Sequence, residues 1–253
     1  MHISGQRVLI TGAAGGLGRA TAIELARRGA KVVLSGRNDL ALKELAIELD
    51  GEVVLADLEQ SADVFRLCEL MADIDVLVAN AGVGSDAQLT LDREAIDGVI
   101  DVNLRAPIHL TTEFSRAHID AGRPGHVVLI GSLSGVAASP STSMYNATKF
   151  GLRGFALSFR QDLHDTCVGV SLVEPGFISE AGMFANNDIE LPAGVRTKKP
   201  IDVAVAVADA IEKDLGEVVV APIELRLAST LGGVAPGLAA SVQRRLGVAD
   251  RKG

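Results

Sequence analysis

Tryptophan is absent from this 253-residue chain, tyrosine occurs once and phenylalanine seven times. With 48% hydrophobic residues and so few rings, the core has to be aliphatic, and 27 glycines point to backbone-rich turns around a Val/Leu/Ala sheet. Cysteine is as scarce. Cys68 and Cys167 stand alone without a Cys-x-x-Cys or His-rich neighbour, which argues against a disulfide framework or a zinc site and fits a reducing cytoplasm. The five histidines, His2, His109, His118, His126 and His164, form no ligand-spaced group, so no metal and no histidine base is expected. Positive charge is short as well: 24 Lys and Arg against 32 Asp and Glu leave a net charge of −8, which repels phosphate backbones and excludes nucleic acid as a partner. No apolar run reaches the roughly 18 residues of a membrane span, and the N-terminus lacks a basic segment leading into an apolar one. The expectation is a cytoplasmic protein.

What is present is regular. Short β-branched runs recur at Arg7 to Ile10, Lys31 to Leu34, Glu52 to Leu55, Asp75 to Val78, His126 to Ile130, Val168 to Val173 and Glu217 to Val220. Between them lie segments with apolar residues at helical spacing, such as Leu42, Leu45, Ala46 and Leu49, or Phe155, Phe159 and Leu163. Strict alternation of strand and helix predicts an α/β fold: a three-layer, doubly wound Rossmann fold of about seven parallel strands with helices on both faces. One domain is expected over residues 1–221, with a C-terminal helical extension over 222–253.

The first strand runs into Thr11-Gly12-Ala13-Ala14-Gly15-Gly16-Leu17-Gly18-Arg19, followed by a helix from Ala20 to Arg28 that stops at Gly29. Glycines at 12, 16 and 18 permit a tight turn and close backbone approach, and a helix N-terminus offers free N–H groups and a positive dipole end to a diphosphate. A dinucleotide is the expected ligand. At the end of the second strand, where a carboxylate would hold a ribose 2′-hydroxyl, the chain has Ser35-Gly36-Arg37-Asn38. Arg37 suits a 2′-phosphate, so NADP(H) is favoured over NAD(H), although a lone arginine also reads as an ordinary surface residue.

From here the chain resembles the short-chain dehydrogenase/reductase family along almost its whole length. Gly12, Gly16, Leu17 and Gly18 match its cofactor loop, Asp57-Leu58 its adenine contact, and Asn80-Ala81-Gly82 its turn after the fourth strand. Asn103 matches the helix asparagine, Ser132 the catalytic serine, and Tyr145-x-x-x-Lys149 the catalytic pair, with Ser132 preceding Tyr145 by 13 residues. Pro175, Gly176 and Ile178 match the segment that lies against the nicotinamide. The resemblance implies a homo-oligomer, dimer or tetramer, and a catalytic tetrad of Asn103, Ser132, Tyr145 and Lys149 in which Asn103 supports a water-mediated relay to Lys149. Two positions depart from the family pattern: Glu180 stands where a threonine is usual, and Gly131 where a second serine is frequent.

The residues read the same way on physical grounds. Tyr145 and Lys149, four apart on a helix, emerge on one face. A lysine cation there is expected to draw the phenol below its ordinary value of about 10 and make it a usable acid or base. Ser132, after the fifth strand, can donate to a carbonyl oxygen or serve only as a turn residue. Asn103 could alternatively shape a helix bend, and Asp57 could be a strand-end cap.

For the substrate, a stretch of about 21 residues from Phe177 to Thr197 carries Met183, Phe184, Ile189 and Leu191 and reads as an apolar lid. Leu133, Val136 and Met144 are expected near it, and a hydrophobic ketone or alcohol follows. In the extension, Arg226, Arg244, Arg245, Arg251 and Lys252 outnumber Glu224 and Asp250, beside a stripe of Leu231, Val234, Leu238, Val242 and Leu246. That stripe could pack on the domain or a second subunit, wall the substrate pocket, or lie on a membrane surface. An NADP(H)-dependent oxidoreductase is the leading reading. A cofactor-binding sensor or scaffold without turnover is the alternative.

Overall fold

A computed structural model of the chain describes residues 1–84, 92–179 and 196–245. Seven parallel strands form one sheet: β1 (Arg7–Thr11), β2 (Lys31–Gly36), β3 (Glu52–Leu55), β4 (Val76–Ala79), β5 (Gly125–Ile130), β6 (Val168–Pro175) and β7 (Glu217–Val220). Their order is β3-β2-β1-β4-β5-β6-β7, so the chain winds outward from β1 in one direction and then, from β4, in the other. The reversal leaves a crevice between β1 and β4 at the carboxyl edge, the place where open α/β sheets take their ligands. This is the doubly wound fold read from the sequence.

Helices α1 (Gly16–Arg27), α2 (Asp39–Leu49), α3 (Ser61–Glu69), α4 (Arg93–Ile100), α5 (Ala106–Ala121), α6 (Ser143–Asp162) and α7 (Pro200–Lys213) cover both faces. Two aliphatic cores result. One holds Val8, Ile10, Leu34, Val128 and Val207 under α1, α2 and α7; the other holds Leu9, Leu77, Phe114, Leu129 and Leu152 under α3, α5 and α6. Successive residues of each central strand feed opposite cores, which is why these strands read as unbroken apolar runs. After β7 come α8 (Ile223–Val234) and α9 (Pro236–Arg245).

Candidate active site

The loop between β1 and α1 is built for close approach. Gly12 has φ +64, and a Cβ there would stand 2.8 Å from the Ala81 Cα; a Cβ on Gly18 would come within 2.2 Å of the Gly12 carbonyl oxygen. Helix α1 begins at Gly16, earlier than the expected Ala20, because Gly16 and Gly18 belong to its first turn rather than to the loop. Its N-cap is Gly15, which offers no side-chain partner to the first N–H groups, and Gly15, Gly16, Leu17 and Gly18 all line the cleft. Asn80 braces the turn from β4, donating from Nδ2 to the Thr11 oxygen at 2.9 Å and the Gly12 oxygen at 3.2 Å. In return the Thr11 hydroxyl accepts the Asn80 and Ala81 N–H groups. The role of Thr11 was not visible in the sequence, since its partners lie about 70 positions away.

Ser132 follows β5 and heads a short 3₁₀ turn, Leu133–Gly135. Its Oγ accepts the Ser134 N–H at 3.1 Å, so the turn role is real, and the same hydroxyl hydrogen-bonds Tyr145. The turn sits directly on α6 because Gly135 lacks a side chain: a Cβ there would stand 2.7 Å from the Lys149 carbonyl oxygen. Gly131 has a comparable cause. A side chain would meet Leu172 at 3.0 Å and Glu174 at 3.3 Å, which accounts for glycine where the family often has serine.

On α6 the Lys149 ammonium lies 5.7 Å from the centre of the Tyr145 ring and donates to the Ile130 carbonyl at 2.9 Å. Burial dominates both groups. It brings Lys149 down to about 8 and pushes the Tyr145 phenol up, with the Ser132 hydrogen bond opposing the latter. The expectation that Lys149 lowers the phenol is therefore corrected: desolvation of the buried phenolate raises it, only the Ser132 hydrogen bond opposes that, and at neutral pH Tyr145 keeps its proton.

Asn103 is fully buried behind the cleft, where the helix widens to a π turn over Asp101–Arg105 and the Ala106 N–H reaches back to Asp101. Its amide holds the backbone of Val83, accepting at 2.8 Å and donating at 2.9 Å, and also donates to Thr148 Oγ1 at 3.3 Å. Pro107, four residues on, has no N–H to give the Asn103 carbonyl. Arg37 is 60% exposed, with Nη1 3.3 Å from Glu59 and 3.9 Å from Asp57. Glu59 was missed in the sequence because it arrives from beyond β3. Asp57 caps its own turn as well, accepting the Glu59 N–H at 3.1 Å.

Thr11, Gly12, Gly16, Gly18, Arg37, Asp57, Asn80, Ala81, Ser132, Tyr145 and Lys149 line one cleft of about 850 Å³, which also takes in Leu17, Leu58, Gly82, Pro175, Gly176 and Ile178; Asn103 and Glu59 are not among its lining residues. Across from Ser132 it is walled by Leu225, Ala228 and Ser229 of α8. Helix α8 seats there through its small residues: a Cβ on Gly232 would meet Ala137 at 2.8 Å, and one on Gly233 the Val136 carbonyl at 2.9 Å. The described part of the expected apolar stripe, Leu231, Val234 and Leu238, faces outward instead. Leu133 lines the cleft, whereas Val136 and Met144 are not among its lining residues. Glu180, the lid residues Met183, Phe184, Ile189 and Leu191, and Leu246, Asp250, Arg251 and Lys252 of the tail lie outside the described residues, as do the side chains of Val242, Arg244 and Arg245. No described helix is long and apolar enough to cross a membrane.

The short chain dehydrogenase family model matches residues 6–191. The chain belongs to the short-chain dehydrogenase/reductase family. This family member is 34% identical over 217 residues to a 3-oxoacyl-(acyl-carrier-protein) reductase of Rickettsia bellii, covering 82% of the chain and 90% of the relative. It is 33% identical to the ketoacyl reductase HetN of a Nostoc species, covering 98% and 91%. Among solved structures, a Sphingobium yanoikuyae short-chain dehydrogenase in complex with NADPH superposes with TM-score 0.80 at 25% identity, covering 93% of this chain and 95% of that one. A metagenomic short-chain oxidoreductase in complex with NADP gives 0.72 at 33% identity, covering 88% and 99%.

Proposed function

We propose that this short-chain dehydrogenase/reductase is an NADP(H)-dependent oxidoreductase acting on the carbonyl or secondary alcohol carbon of an apolar substrate. The observation that carries the reading is the convergence of Ser132, Tyr145 and Lys149 with the glycine loop on one cleft. A dinucleotide fits this cleft: side chains at Gly12 or Gly18 would close the turn, the α1 N-terminus supplies donors for a diphosphate, and Arg37 supplies a fork for a 2′-phosphate. The relatives named in complex with NADPH and NADP support the same cofactor. When bound, the nicotinamide supplies or accepts the hydride.

The chain's own residues handle the proton and the charge. Ser132 and Tyr145, already hydrogen-bonded, converge on the oxygen that becomes an alkoxide. Buried Tyr145 holds its proton at neutral pH, the form in which it can be given to that oxygen, and Lys149 supports the negative charge left behind. Asn103 keeps its side-chain amide on Val83 and Thr148, so that amide serves to hold the loop after β4 against α6. Leu133, Leu225 and Ala228 give the substrate half of the cleft an apolar wall, in keeping with the ketoacyl reductases among the relatives. In this reading Leu225 and Ala228 of α8 wall the substrate pocket, while the stripe residues Leu231, Val234 and Leu238 stay exposed. The family resemblance also carries a dimer or tetramer, which sedimentation of the purified chain measures.

The test is Tyr145→Phe. Reduction of apolar ketones with NADPH should fall by at least about 10³-fold while NADPH affinity, read by nicotinamide fluorescence in a chain without tryptophan, stays within about twofold. Turnover near wild type would remove Tyr145 from the chemistry, and no binding of either nicotinamide cofactor would end the oxidoreductase reading.

A further inference from the structure

Arg37 faces two carboxylates before any ligand arrives. Its Nη1 stands 3.3 Å from Glu59 Oε1 and 3.9 Å from Asp57 Oδ1, so this corner of the cleft carries one excess negative charge where a ribose phosphate would sit. The two acids are not equivalent. Asp57 is committed to its turn: its Oδ1 accepts the Glu59 N–H at 3.1 Å, and its own N–H donates to Asp63 at 2.8 Å. The other nearby cation, Arg66, is engaged by Asp63 at 3.0 Å and by the Leu55 carbonyl at 2.9 Å. Glu59 is held by Arg37 and by the space over α4, where a Cβ on Gly98 would come within 3.5 Å of the Glu59 carboxyl carbon. Its side chain is 39% exposed and can swing clear.

We infer that Glu59 is a specificity-determining residue: it is the counter-ion that Arg37 must exchange for a 2′-phosphate, and it thereby sets how strongly the cleft prefers NADPH over NADH. The inference rests on the NADP(H) reading. A cofactor with a free 2′-hydroxyl leaves the Arg37–Glu59 pair intact and is indifferent to it. A 2′-phosphorylated cofactor has to break the pair to engage Arg37, so Glu59 weakens that cofactor alone.

The experiment is a fluorescence titration of NADPH and of NADH into the full-length chain as wild type, Glu59→Gln, Arg37→Ala and the double variant, at low and at high salt. Glu59→Gln should tighten NADPH by about two- to fivefold, the range that exposed ion pairs are worth, and leave NADH within twofold. The gain should shrink at high salt and largely vanish in the Arg37→Ala background. No gain for NADPH, an equal gain for NADH, or a gain that persists in full without Arg37 would each overturn the exchange. If the wild type binds both cofactors equally and Arg37→Ala alters neither, the NADP(H) reading falls and takes the inference with it, an outcome distinct from the other three.

Discussion

The Asn103 amide closes on both backbone groups of Val83, accepting its N–H at 2.8 Å and donating to its carbonyl at 2.9 Å, from a position with no solvent exposure. A side chain from the π turn thus does for the loop after β4 what a neighbouring strand would have done. Replacing it with alanine removes the partner of two part-buried backbone groups. Asn103→Ala is expected to cost about 2–4 kcal/mol in urea unfolding, and the Val83 amide should lose its protection from hydrogen exchange. A variant as stable as the wild type would show that the loop finds other partners.

The glycine loop offers a graded comparison. A Cβ on Gly18 would stand 2.2 Å from the Gly12 carbonyl oxygen, whereas one on Gly15 would stand 3.3 Å from the same atom. Gly18→Ala should therefore weaken NADPH by roughly tenfold or more, and Gly15→Ala by much less. Equal effects in the titration would mean that crowding at this oxygen is not what the loop avoids.

Lys149 gives the reaction a pH limb. Burial holds its ammonium down to about 8, so its positive charge fades as pH rises through that value. In the reductive direction kcat/KM should decline above pH 8, and Lys149→Met should lose on the order of 10²-fold or more at pH 7. A rate that stays level up to pH 10 would separate the lysine charge from the chemistry.

Glu174 bears on stability rather than turnover. Burial, aided by the Glu217 carboxylate and only partly offset by Arg153, raises it to about 8 from an ordinary 4.5. The folded chain then holds a proton that the unfolded chain releases above pH 4.5. Stability from this group is complete below pH 4.5 and is lost as pH rises through 8. Between pH 5 and pH 9 the wild-type Tm should fall by roughly 5 °C more than that of Glu174→Gln, which stays neutral throughout. Parallel melting curves for the two proteins would show that the carboxyl is ionised at no cost.

Much of this was legible in the sequence because it is local. Strands buried on both faces read as apolar runs, the Tyr145–Lys149 spacing follows from the helical repeat, and glycines 12, 16 and 18 mark a turn wherever the chain goes next. What escaped is long-range. Glu59 reaches Arg37 from the turn beyond β3, Thr11 holds Asn80 across the switch point, and Gly131 and Gly135 matter only because Leu172, Glu174 and Lys149 lie against them. The shift of Tyr145 was misread because helical spacing reveals the neighbouring charge but not the depth of burial. The tail was half legible: its helical period is present, yet the face that packs is the small one, Gly232 and Gly233, and period alone does not say which face a helix buries.

The seating of α8 divides authorship of the cleft. The acid, the lysine and the glycine loop are set by β1, β4, β5 and α6, while the opposing wall comes from a helix that touches the Val136–Ala137 segment through two glycines. Selection, or a protein engineer, can therefore redraw which molecules are admitted by rewriting a dozen positions after Pro222, and leave untouched the machinery that reacts with them.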